Sequence, residues 1–415
     1  MELLRNAVRP YAWGSRTTIP ELLGRPVPAP HPEAELWLGA HPGDPSKVIG
    51  EDGSERSLLD LLEADPVGQL GDRCANRWGN RLPFLLKILA AEEPLSMQAH
   101  PSAAQAAEGH AREEKLGIAR DAANRNYPDP TAKPELVCAL TEFHALAGFR
   151  APERTVALLR AIETPGLAKY TDLLAEQPDP DGLRALFTTW ITLPQGTLDE
   201  LLPDVLDACV LHIKEHGEFD VECRTILELG EAHPRDAGVL AALLLNRLTL
   251  SAGEAIYLPA GNLHSYLHGT AVEILANSDN ILRCGLTPKH VDVPELLRVV
   301  DFGCGDMPVH TGDLGPHGAV YRTETPEFEL TRIEWETGDS AVDGEVRIAG
   351  GAPQILLCTA GELVVTAEDG ERTELRRGQS VWLAASHAAV RARPAGGSRT
   401  QLFRATPGTC ENPAP

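Results

Sequence analysis

The stretch PLSMQAHPS, residues 94–102, sets Gln98 and His100 two positions apart, directly after LPFLLKILA, a run apolar enough for a buried strand. Successive strand side chains face opposite ways, so residues at i and i+2 share a face. KPEL adds Glu135, with Lys133 two positions before it, and HSYLHG adds His264. Two imidazoles, one carboxylate and one amide converging inside a small barrel would hold zinc or iron. A single carboxylate leaves a charge of about +1 on a divalent ion, which makes it an electrophile for hydroxyl or carbonyl oxygens. An isolated strand histidine is more commonly a satisfied structural residue, by roughly four to one, so spacing alone leaves both readings open.

Other charged residues interrupt apolar runs. Lys87 lies within LPFLLKIL; a buried ammonium without a partner is costly, so it either snorkels at the strand end or faces a polar cavity. Arg283 and Lys289 bracket the loop of NILRCGLTPKH, as an oxyanion or phosphate clamp or as an exposed pair. Glu273 in TAVEILAN is a core ion-pair partner or a general base. His268, closing a Gly turn, and His290, after TPK, read as surface or hydrogen-bonding residues.

The elements that must position these groups are mainly β with an α insertion. From Leu36 to about Leu140 short apolar runs alternate with Gly, Pro and Asp turns, and SLLDLLEADPVGQLG and SAAQAAEGHAREEKLGIAR each read as one helix beside the strands. Between Ala151 and Ala242 the pattern is amphipathic helix, in PERTVALLRAI, DGLRALFTTWI, GTLDELLPDVLDACVLHIKEH and DVECRTILELGEAH. Strand character returns with LLLNRLTLSAGEAIYLPAGNLHSYLHG and again after about Thr311. Gly253, Pro259, Gly261 and His264 fit G-x5-P-x-G-x2-H, which resembles the second box of the cupin family and implies a jelly-roll barrel. A second copy near 375–387 replaces the Pro and Gly by Ala384 and Ser386 and brings His387 two positions early. It resembles a degenerate cupin barrel in which His387 is structural.

At 415 residues the chain suits two or three domains. The expected division is a catalytic barrel over 1–150 plus 243–310, a helical domain over 151–242 and a second jelly roll over 311–415. A formal charge of -23 opposes nucleic acid and anionic membranes but leaves room for a small anion held by locally gathered cations. No apolar run reaches membrane-spanning length and MELLRNAVRPYAWGS has no signal-peptide core, so a cytoplasmic protein is expected. The eight cysteines show no CxxC pair and read as reduced thiols. Nothing in the pattern calls for an obligate interface, and a monomer is expected.

Several strings together resemble one family. YAWGS, AELWLGAHP, LPFLLKIL, PLSMQAHPS, KPEL, IYLPAGNLHSYLHG and NSDNILRCGLTPKHVDV, in order along a match from about residue 6 to residue 300, are similar to type I phosphomannose isomerase. The resemblance implies a single zinc on Gln98, His100, Glu135 and His264, and interconversion of mannose 6-phosphate and fructose 6-phosphate through a cis-enediol. It implies Arg283, Glu273, Lys133 and Lys87 as catalytic residues, with Glu273 or Lys133 moving the proton, and Ser96, Lys289, Tyr266 and Trp13 as substrate-binding residues. Many members carry His directly before the Lys of KPE, where this chain has Ala132, so a mechanism that needs that imidazole does not transfer. Two rival readings remain: an iron oxygenase with a facial triad, and a non-catalytic sugar-phosphate sensor, which would be expected to have lost at least one of Lys133, Glu273 and Arg283.

Overall fold

The computed structural model describes residues 1–50, 52–315, 318–336 and 344–408, so Cys410 and the other residues outside these ranges are set aside. The strand Phe84–Ala91 is buried along its whole length. Leu86 and Ile88 on one face enter a hydrophobic core, while Leu85, Lys87 and Leu89 on the other line a cavity. Both faces being covered explains why the run is apolar throughout rather than alternating. Antiparallel to it runs His264–Ala276, with Glu273 opposite Lys87. The same long strand pairs Leu275 with Glu135 of Glu135–Ala139, and its first residue with Gln98 of Met97–Ala99. Glu35–Leu38 flanks Phe84–Ala91 on its other side, placing Trp37 opposite Lys87. These strands belong to one sheet of ten.

A nine-stranded sheet gathers the C-terminal strands, among them Glu329–Trp335, Gln354–Ala360, Ser380–Leu383 and Thr400–Thr406. It is extended by Glu2–Arg5, Lys47–Ile49 and Glu55–Ser57 from the start of the chain. The N-terminal segment therefore contributes to two sheets, and the sheet of the C-terminal region includes residues that the sequence grouped with the catalytic barrel. A four-stranded sheet packs against it across Ile333, Leu356, Val381, Leu363 and Val365. The degenerate turn is docked: Ala385 N and Ser386 N donate to Gln69 O and Gly68 O at 2.8 and 2.9 Å, and His387 Nδ1 donates to Ala388 O at 2.8 Å.

SLLDLLEADPVGQLG forms two helices rather than one, Leu58–Ala64 and Pro66–Trp78. Asp65 ends the first and its side chain caps the second, and Pro66 at the first helical position starts a new helix because the missing N–H would be unpaired there. Ala103–Leu116 is one helix, opened by a Ser102–Gln105 capping box and closed by left-handed Gly117. The helical insertion comprises Pro152–Ala161, Pro165–Glu176, Pro180–Ile191, Gln195–Lys214, Asp220–Ala232 and Gly238–Ala242. Pro165–Glu176 was not among the segments picked out by sequence. Side chains of Thr164 and Asp179 cap two of these helices.

An aromatic cluster fastens the helices to the ten-stranded sheet. Phe187 meets Phe149 edge-on at 5.6 Å and Phe302 at 5.5 Å, and is fully buried. Phe187→Ala should cost about 3–5 kcal/mol in denaturant unfolding, the usual loss for a buried Phe. Turnover per folded molecule should be unchanged, because Phe187 does not line the cavity.

Candidate functional site

The strand walls enclose a cavity of roughly 700 Å³. Each wall contributes alternate residues, as a strand must: Leu85, Lys87 and Leu89 from one, Glu273 and Leu275 from the next, Glu35 and Trp37 from a third, and Ser96 with Gln98 from a fourth. Lys133 and Glu135, and Ile281 and Arg283, follow the same two-residue step.

His100, Glu135 and His264 are buried together, with one donor atom of each within 4.8 Å of the others. His100 Nδ1–H donates to Asn280 O at 2.7 Å and His264 Nδ1–H to Asn262 O at 3.0 Å. A carbonyl can only accept, so both Nε2 atoms are left as lone pairs. They point at Glu135, at 3.2 Å from His100 and 3.5 Å from His264. His100 Nε2 has no hydrogen-bond partner despite that short distance, since two acceptors face each other. Burial first, and then Lys133, hold the His100 pKa down to about 4, so the imidazole is neutral and free to ligate. Burial opposes ionisation of Glu135, but the ammonium of Lys133 is the largest influence against it, and the carboxyl lies well below the usual range. The Gln98 amide stands 3.5 Å from His264 Nε2, and rotation of the amide turns its oxygen to the same point. This donor set fits a metal cation, because acceptors converge where only a positive charge can reconcile them.

The turn before His264 explains how both histidines reach this point. Gly261 has φ +81°, and a Cβ there would lie 2.9–3.0 Å from Asp301 and Val299, so a side chain would strain the turn and collide. Gly261 N donates to His100 O at 2.8 Å, joining the two ligand segments directly.

Beside the metal ligands lies a charge network. Lys87 faces the cavity rather than snorkelling, and its Nζ lies 3.0 Å from Glu273 and 3.4 Å from Glu35. Burial pulls the Lys87 pKa down, but Glu273 and Glu35 outweigh it and the ammonium is stabilised. Burial raises the Glu273 pKa; Lys87 opposes the rise, and Glu135 and Glu35 add to it. Tyr266, fully enclosed, lies 3.0 Å from Glu273 and 3.3 Å from Glu135 through its hydroxyl. Lys133 Nζ sits 3.1 Å from Glu135 Oε1.

Arg283 and Lys289 also line the cavity, and among the described residues neither has a carboxylate partner. Burial lowers both pKa values, and for Lys289 the neighbouring Arg283 lowers it further. Two neighbouring cations that line one cavity without a carboxylate partner among the described residues, in a chain of charge -23, mark a place for an anion. Ser96 and Trp13 line the same cavity, and Trp13 stacks on Tyr11 at 5.8 Å. His268 instead bonds Glu228, and His290 is exposed. Sequence reasoning passed over Glu35, Trp37, His41, Asp279 and His233, all of which line the cavity. Glu35 and Trp37 carried a usable signal, a carboxylate and an indole at period two in an otherwise apolar strand; His233, from the end of a helix, carried none.

Residues 1–152 match the family model for the catalytic domain of type I phosphomannose isomerase. The mannose-6-phosphate isomerase of Salmonella typhimurium is 38% identical over 394 residues, covering 94% of this chain and 97% of that one. The chain belongs to the type I phosphomannose isomerase family. A crystal structure of a point variant of the Salmonella phosphomannose isomerase superposes with a TM-score of 0.87 at 34% identity, covering 99% of this chain and all of the other. A zinc-bound mannose 6-phosphate isomerase structure superposes with a TM-score of 0.86 at 34% identity, covering 98% of this chain and 99% of that one. This phosphomannose isomerase family member thus shares the mixed, mostly β architecture of its relatives, and its His100, Glu135 and His264 are grouped so that they could hold a metal ion.

Proposed function

We propose that this chain holds one zinc ion on Gln98, His100, Glu135 and His264 and interconverts mannose 6-phosphate and fructose 6-phosphate through a cis-enediol. The observation that carries the reading is the pairing in one cavity of an acceptor-only donor cluster with two uncompensated cations. The catalytic unit is a cupin-type barrel drawn from 1–150 and 243–310, less the strands Glu2–Arg5, Lys47–Ile49 and Glu55–Ser57, which join the sheet of a second, degenerate jelly roll over 311–415; a helical domain spans 151–242.

When bound, zinc would supply Lewis-acid polarisation of the sugar oxygens. The protein supplies the rest. Lys289 and Ser96 bind the phosphate, and Trp13 packs along the sugar. Glu273, desolvated and oriented by Lys87 and Tyr266, moves the proton between adjacent carbons. Lys133 is the weaker candidate for that step, because its ammonium is engaged by Glu135. Arg283 and Lys87 stabilise the negative charge that develops on oxygen, in a cavity where low dielectric strengthens the effect.

The test is a coupled assay of fructose 6-phosphate formed from mannose 6-phosphate, with and without chelator. Activity that falls with chelation and returns with zinc supports the proposal, and an inactive zinc-loaded preparation overturns it. Stoichiometric iron with oxygen-dependent turnover would instead indicate an oxygenase. Within this reading, Arg283→Ala should lower kcat by about 10²–10³-fold, the usual loss of an oxyanion donor. Zinc content measured on the same protein should be unchanged.

A further inference from the structure

Two chain segments meet at the metal centre without any strand pairing between them, and one carboxylate joins them. Residues 129–135 carry Lys133 and Glu135, and residues 278–283 run from a tight turn to Arg283. Asp129, half-buried, accepts from Ser278 Oγ at 2.9 and 3.1 Å and from Asp279 N at 2.8 Å. It also accepts from Thr131 N at 3.1 Å and from the Thr131 hydroxyl, so it shapes its own loop as well as the facing turn. Asn280, with no exposed surface, completes the joint: its Nδ2 donates to Asp129 O at 2.8 Å and to Thr131 O at 2.7 Å, and its Oδ1 accepts from Asp129 N at 3.2 Å. The Asn280 backbone carbonyl is the acceptor that fixes the His100 Nδ1–H at 2.7 Å.

We propose that Asp129 is a positioning residue for the metal centre, fastening the segment that bears Glu135 to the turn whose Asn280 carbonyl sets the His100 tautomer. The inference rests on the zinc reading above. Without the Asp129 carboxylate, Asp279 N loses its acceptor and Ser278 Oγ keeps only Thr131 O at 3.3 Å, so the turn is held chiefly by the Asn280 side chain and the Asn280 carbonyl is less firmly fixed on His100 Nδ1. An imidazole whose Nδ1–H is unheld rotates and exchanges tautomers, which weakens Nε2 as a ligand. Asp129 touches neither metal nor sugar, so its effect travels through His100 and Glu135.

The experiment measures zinc affinity by competition with a chromophoric chelator, on wild-type protein, Asp129→Ala and Asp129→Asn, each well below its melting temperature. The outer partners of metal ligands typically contribute 10–100-fold to affinity, so Asp129→Ala should bind zinc about 10–100-fold more weakly. Asp129→Asn, which keeps one acceptor oxygen, should fall between. The gap in Tm between zinc-loaded and metal-free protein should shrink in the same order, since ligand stabilisation tracks affinity. A role confined to general stability would lower both Tm values equally and leave the gap intact. If Asp129→Ala does not fold, the Asp129→Asn affinity and gap decide. Variants equal to a zinc-binding wild type in affinity overturn this inference alone, whereas a wild type that binds no zinc overturns the zinc reading and this inference with it.

Discussion

His264→Ala is expected to lose the metal and turnover together. His264, like His100 in the same cluster, has its Nδ1–H committed to a backbone carbonyl, which leaves Nε2 as a dedicated donor 3.5 Å from Glu135 Oε2. Removing it leaves one imidazole, one amide and a carboxylate that is already drawn to Lys133 at 3.1 Å. Changes outside the ligand shell cost 10–100-fold in metal affinity, and loss of a ligand should exceed that, at about 100-fold or more. Metal analysis after dialysis and the coupled assay check this directly. Zinc retained at full occupancy with turnover lost would mean that His264 serves the reaction rather than the metal. The contrast with Arg283→Ala is the useful part, because that change should lower turnover and leave zinc in place.

Glu273→Gln should lower kcat by about 10²–10⁴-fold, the range for removal of a general acid–base group, with zinc content and fold preserved. Glutamine keeps the shape and can still accept from Tyr266 at the 3.0 Å position. What disappears is the titrating carboxyl. Its pKa is raised chiefly by burial, against the pull of Lys87 and with help from Glu135 and Glu35. A raised pKa makes the carboxyl better matched to accept and return a proton. Exchange of the substrate C2 hydrogen with deuterated solvent isolates this step from binding and should be lost in Glu273→Gln. Exchange that persists there but vanishes in Lys133→Met would transfer the proton-moving role to Lys133.

How much of this was legible beforehand depended on whether a residue's partners are local. Gln98 with His100, and Lys133 with Glu135, could be placed on shared faces because strand alternation is a property of two adjacent peptide units. The Gly261 turn was legible through its fit to the cupin box, and the structure gives the reason for the glycine, a φ of +81° beside packed backbone. Lys87 was undecided between snorkelling and a cavity, because its answer lies in Glu273 and Glu35 on two neighbouring strands. The break at Asp65 was readable in principle from Asp-Pro, yet the apolar spacing on both sides masked it. His233 reaches the cavity from the helical insertion, and no periodicity within the insertion marks that end as facing the site.

By itself the sequence determined the family, the donor types, the strand faces they occupy and the alternation of strand and helical regions, since each follows from residue identity and short-range spacing. Tertiary structure alone decided which donors converge and which charges are compensated. It paired Lys87 with two carboxylates, left Arg283 and Lys289 with none among the described residues, and wove Glu2–Arg5 into the C-terminal sheet. Strand pairing and desolvation are long-range, and a pairing between residues 87 and 273 leaves no mark in either local stretch.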